Sequence, residues 1–149
     1  MTSRLSRALA CAALLATSAI LLGGCGSGGS SASPDASTSP SADASQVVPK
    51  SMTDAIIKGA FDAGSMTLVR AAAVESVDEP DYYFVALRFD GPEGEQVGVW
   101  ATKYLDASGM VWAVNDVART TTEWPPSDSG GVTLIMETQG AQAAADAVR

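Results

Sequence analysis

Few side chain types in this 149-residue chain can do chemistry, and the most versatile one is missing: there is no histidine. That removes Ser-His-Asp and Cys-His catalysis, His-ligated metal sites and the usual switch near neutral pH. A serine–lysine pair at S-x-x-K spacing does not occur, and neither does a G-x-S-x-G elbow. The glycine-dense stretch follows no strand, so it does not read as a phosphate loop. Asp78, Glu79 and Asp81 crowd one turn, but without the oxygen spacing of a calcium loop they read as solvated. Glu93 and Glu95 share one hairpin, where they would not flank a cleft as glycosidase carboxylates must. The expectation is no catalytic residue, no metal ligand set and no cofactor.

The two cysteines, Cys11 and Cys25, are too few for a disulfide framework, and both precede the region able to fold. Arg4 and Arg7 open the chain, and Ala8 to Leu22 is an apolar run of 15 residues. A transmembrane helix needs about 20 apolar residues, so this run fits a signal-peptide h-region better. Cys11 lies within it. The run closes on Leu22-Gly23-Gly24-Cys25, which resembles the lipobox of bacterial lipoproteins: an aliphatic residue, two small residues and a cysteine. The resemblance implies that the Cys25 sulfur receives a diacylglyceryl group. It also implies that signal peptidase II cleaves between Gly24 and Cys25, leaving Cys25 as the first residue of the mature chain. Small residues let an extended backbone enter a protease site, and the thiol is the chain's best nucleophile for a thioether. Two acyl chains give stable membrane anchoring where one is marginal. An ordinary secretory signal with a chance cysteine, or an uncleaved anchor, is the alternative.

Gly26 to Gln46 holds no aromatic and no large aliphatic residue. Such a segment cannot repay the entropy of ordering and reads as a tether, slightly stiffened by Pro34 and Pro40. A coil of 21 residues spans roughly 25 Å, and at full stretch about 70 Å. The expected organisation is therefore a signal peptide over 1–24, a lipidated cysteine and tether over 25–46, and one small domain over 47–149.

Three tryptophans, Trp100, Trp112 and Trp124, follow one another at twelve-residue intervals, but their flanks do not repeat. Trp100 and Trp112 fall on adjacent expected strands. Either they face each other as a core pair, or with Tyr82 and Tyr104 they form an aromatic binding surface for a glycan or peptide. Tyr83 could extend that surface.

The elements that must position these residues follow from periodicity. Ser51 and Asp54 suggest a variant capping box, and Met52, Ile56, Ala60 and Ala63 share a helical face ending at Gly64, which predicts a helix over 51–63. Residues 66–77 read as a strand. In 82–89, Tyr83, Val85, Leu87 and Phe89 alternate with Tyr82, Phe84, Ala86 and Arg88. In 96–105, Val97, Val99 and Ala101 alternate with Gly98, Trp100 and Thr102, and 110–114 is a fourth short strand. The short connections between them predict an antiparallel meander. Asn115 or Asp116 can cap a helix to about Glu123, stopped by Pro125-Pro126. Val132, Ile135, Met136, Gln139, Ala143 and Ala147 predict a C-terminal helix, with a kink or break at Gly140. The fold class is α+β: an N-terminal helix, a four-stranded antiparallel meander and one or two C-terminal helices packed on the sheet.

The net charge is −8; apart from Arg4 and Arg7 there are 7 basic against 17 acidic residues. That balance argues against nucleic acid as a partner and against a polybasic membrane patch. The stretch VGVWATKYLDASGMVWAVNDVARTTTEW resembles small secreted proteins and lipoproteins of actinobacteria and carries no catalytic residues with it. The expected function is a lipid-anchored binding or accessory lipoprotein on the extracytoplasmic face of the cell membrane, its partner an unidentified envelope protein or glycan. An inhibitor or immunity-type lipoprotein is the alternative, and a cell-wall-directed enzyme comes third.

Overall fold

Strand formation in this chain is decided by apolar residues on both sides of one segment. Phe84-Val85-Ala86-Leu87 is buried without interruption, so the strand that carries it must be covered on both faces. The computed structural model describes residues 44–62, 64–129 and 133–149. The expected signal peptide, Gly24, Cys25, the tether up to residue 43, Ala63 and Val132 lie outside the described residues. Four strands, β1 (Thr67–Glu75), β2 (Tyr83–Gly91), β3 (Gly94–Thr102) and β4 (Val111–Ala113), form one antiparallel sheet in the order β1-β2-β3-β4. The α+β meander expected from the sequence is the observed architecture.

Three helices cover the sheet, α1 (Lys50–Lys58) and α2 (Asp116–Thr121) on one face and α3 (Ala141–Ala147) on the other. On the first face Met52 and Ile56 of α1 and Ala118 of α2 pack on Ala73, Val85, Leu87, Phe89 and Trp100. On the second, Ala141, Ala144, Ala145 and Val148 pack on Val74, Phe84, Ala86, Val99 and Ala101. The alternation expected for β2 and β3 therefore holds residue for residue. Small residues on α3 let its backbone come close to the sheet. Among the described residues no helix is long and apolar enough to cross a membrane.

Three expected boundaries shift for local reasons. The helix α1 begins one residue before Ser51, because Pro49 already has the φ of −58° that a helix entry needs. No side chain caps it; Asp54 pairs with Lys50 instead of with a Ser51 box. It stops at Gly59 rather than Gly64. Gly59 gives way to Trp124, and Ala60 already bridges Thr122. The C-terminal helix expected from residue 132 starts only at Ala141, preceded by turns over 136–140. Gly140 sits at φ 108°, and a Cβ there would lie 3.0 Å from the Glu75 carbonyl oxygen and 3.2 Å from the Phe84 ring, so the break falls there and the helix runs only after it.

The sheet edges are covered by irregular chain. Ala113 of β4 donates its N–H to the Pro125 carbonyl at 2.8 Å. On the other side, Gln46 and Ala73 exchange both backbone hydrogen bonds, at 2.7 and 3.1 Å, in an antiparallel bridge to β1. Beyond that bridge β1 is exposed from Thr67 to Arg70 and carries a bulge at Val69, a device that blunts a free edge.

Candidate functional site

In an antiparallel meander the first and third connections share one end of the sheet. Here those connections are residues 76–82 and 103–110, and a cavity of about 540 Å³ lies between them. It is lined by Pro80 and Asp81 from the first loop, Tyr83 from the start of β2, and Lys103, Tyr104, Leu105 and Asp106 from the second.

Each loop is held by its own hydrogen bonds. In the first, Ser76 N–H donates to the Tyr82 carbonyl at 2.8 Å, and the Ser76 hydroxyl accepts from Glu79 N–H at 3.1 Å. Asp78 points elsewhere, accepting from Gln139 N–H at 2.9 Å and so fastening the approach to α3. The acidic turn thus splits by task, with Asp78 structural and Asp81 on the cavity wall. No group of three or more potential metal ligands converges among the described residues.

In the second loop the Thr102 hydroxyl bonds to both the N–H and the carbonyl of Tyr104. Asp106 Oδ1 accepts from Ser108 N–H at 2.9 Å, closing an Asx turn that carries Ala107 at φ 66°. Hydrogen bonds from the Ser108 side chain and backbone hold the fully exposed Asp106 carboxyl below the usual carboxylate range. Gly109 lies against the Tyr104 ring, where a Cβ would come within 2.9 Å of it. Tyr104 itself is 57% exposed.

The four aromatic residues expected to share a surface are not brought together. Trp100 is fully buried under α1 and α2, its indole N–H donating to Thr122 Oγ1 at 3.2 Å. Trp112 pairs with Ala101 in register and Trp100 with Ala113, so the two tryptophans point to opposite faces. Neither a facing core pair nor a joint platform survives that parity. Tyr82 and the half-buried Trp112 pack tilted on the α3 side, ring centroids 5.8 Å apart, with Lys103 Nζ 4.9 Å from the Tyr82 ring. Only Tyr104 stands at the cavity. Its aromatic partner there is Tyr83, the residue expected to extend that surface. Asp81 and Asp106 read as turn formers in sequence, and the shared end of two meander connections is the signal that could have joined them. Glu93 and Glu95 sit in the opposite hairpin, Glu95 pairing with Arg88 at 4.0 Å.

A smaller cavity of about 230 Å³ lies at that opposite end, among Phe61, Met66, Phe89 and Pro92 with Thr120 and Thr121. Comparison of the chain with protein-family models, curated proteins and solved structures gives no match.

Proposed function

We propose that this chain is a lipid-anchored binding module, held at the extracytoplasmic face of the cell membrane by a diacylglyceryl thioether on Cys25. Its recognition surface is the loop end of the sheet. The lipobox-like Leu22-Gly23-Gly24-Cys25 supports the anchor. The cavity between residues 76–82 and 103–110 is the observation that carries the recognition surface, because it combines aromatic walls with charged groups in a concave site.

An inhibitor or immunity-type role is favoured by one feature of this end. Val77, Tyr104 and Met110 are each more than half exposed in these two loops, as a protein-contacting rim would be.

Two measurements test the proposal. Cys25→Ala abolishes incorporation of labelled palmitate; undiminished labelling would remove the anchor. A photocrosslinking residue at Tyr104 traps one specific envelope protein or glycan in cells, while the same residue at the exposed Gln142 of α3 does not. Equal trapping from both positions would remove the recognition surface.

A further inference from the structure

We propose that the cavity at the loop end binds an organic cation, a primary or quaternary ammonium group. Asp81 and Asp106 supply the countercharge, and Tyr83 and Tyr104 supply the aromatic walls. This rests on the reading of that end as the recognition surface and names what it recognises.

The lining decides the sign of the ligand. It carries two carboxylates against one ammonium. That ammonium, on Lys103, is drawn to the Tyr82 ring on the α3 side, 4.9 Å from its centroid. Among the described residues neither Asp81 nor Asp106 belongs to an ion pair. The bond from Ser108 N–H, at 2.9 Å, fixes where the Asp106 charge stands. Glu79 in the same exposed loop adds to the negative field, and Asp78 is occupied by Gln139. An anion brought here would meet uncompensated carboxylates. A hard divalent ion would find two carboxylates where it needs about six oxygens.

The walls decide the kind of cation. Tyrosine faces attract ammonium groups, and most strongly those that shed water easily, as alkylated ammonium does. A cavity of about 540 Å³ is larger than one ion needs and is within the range of small-ligand sites. The acidic balance of the chain adds long-range attraction for such a ligand. A lysine side chain of a partner and a choline-like headgroup or solute share this chemistry.

The test is an NMR titration of the full chain in non-ionic detergent, following the amides of residues 80–83 and 103–108. The probes are choline, its neutral isostere 3,3-dimethylbutanol, N-acetyl-lysine methylamide and its uncharged norleucine counterpart. Saturable shifts are expected with at least one cation, with the matching neutral compound about three- to tenfold weaker. Asp106→Asn keeps an oxygen for Ser108 N–H while removing the charge, so the loop stays closed; it should weaken the cation about threefold or more. Tyr104→Ala should do the same. Preference for the lysine analogue identifies a protein side chain as the source, and preference for choline a headgroup or solute. Equal binding of charged and neutral probes, or an unchanged affinity in Asp106→Asn, would overturn the assignment. If no cation binds while Tyr104 still crosslinks a partner, the ammonium assignment fails and the recognition surface stands. If crosslinking fails as well, both fall.

Discussion

At the scale of single residues, two glycines make room for two tryptophans. A Cβ on Gly98 would lie 2.6 Å from Cζ3 of Trp100, and one on Gly59 would lie 2.7 Å from Cε2 of Trp124. Trp100 is wholly buried and its ring cannot swing away without losing the bond to Thr122. Gly98→Ala should therefore destabilise the domain by about 1–3 kcal/mol. Trp100→Phe shortens the ring and should recover part of that loss in the double mutant, a coupling readable in a urea-denaturation cycle. Additive effects would show that the ring does not meet residue 98. Strand parity was legible in the sequence, which gave Trp100 the opposite side from Val99 and Ala101. The relation of Trp100 to Trp112 was not. It depends on how many residues the 103–110 loop consumes, and equal spacing along the chain says nothing about that. A second prediction belongs to Asp106. Its carboxyl titrates below the ordinary aspartate value of about 3.9. A depressed folded value means the turn's contribution is complete above the unfolded value and fades as pH falls through the folded one. Ser108→Ala should move the titration back toward the ordinary value in an NMR pH series; no movement would remove the hydroxyl as a cause.

Among the elements, Asn115 does more than end a strand. Its Oδ1 accepts from Ala118 N–H, capping α2, and from Val99 N–H of β3, each at 3.0 Å. Its Nδ2 donates to the Val97 carbonyl at 3.0 Å. Since β4 is only three residues long, Asn115 continues the pairing of β3 with a side chain after the backbone has turned away. Asn115→Ala loses a cap and leaves groups of β3 unpaired, and should cost about 2 kcal/mol or more. Asn115→Asp keeps both acceptor roles, loses the donor and should cost less. Chemical denaturation of the two variants checks the order, and equal losses would mean that the two bonds accepted by Oδ1 contribute nothing. Capping by Asn115 was legible from its place before a helical stretch. Its bond to β3 was not, because it joins residues 18 apart across a turn. The part of the C-terminal helix expected before Gly140 failed for a related reason. A 3.6-residue period can be counted through 132–147, but Ile135 and Met136 are spent in irregular chain, and Leu134 fills the core instead. Periodicity cannot see that Gly140 must take a positive φ to pass the Glu75 carbonyl.

At the scale of the domain, the two faces of the sheet carry unlike coverings. On one face α1 brings Met52 and Ile56 down beside Trp100, while on the other α3 contributes almost nothing but alanine. That asymmetry is half visible in the sequence: the small residues of 141–147 permit close packing, but do not say which side of the sheet they take. Close packing sets a sharp limit on side-chain size. Ala144 of α3 is fully buried against the sheet, whereas Gln142, two residues away, is exposed and bonds only to Asp146. Ala144→Leu should lift α3 from Phe84 and Val99 and destabilise the domain by about 1–3 kcal/mol. Gln142→Leu, an equally greasy change on the outer side, should stay within about 0.5 kcal/mol of the parent. Thermal denaturation of the pair separates packing from hydrophobicity. Ala144→Leu changes no residue of the loops at the sheet end, so ligand titrations at Tyr104 and Asp106 should be unaltered wherever the variant is folded. A loss of binding there would mean that α3 and the cavity are coupled, either through Asp78, which holds Gln139 just ahead of the helix, or through β2, whose Phe84 packs under the helix and whose Tyr83 lines the cavity one residue away.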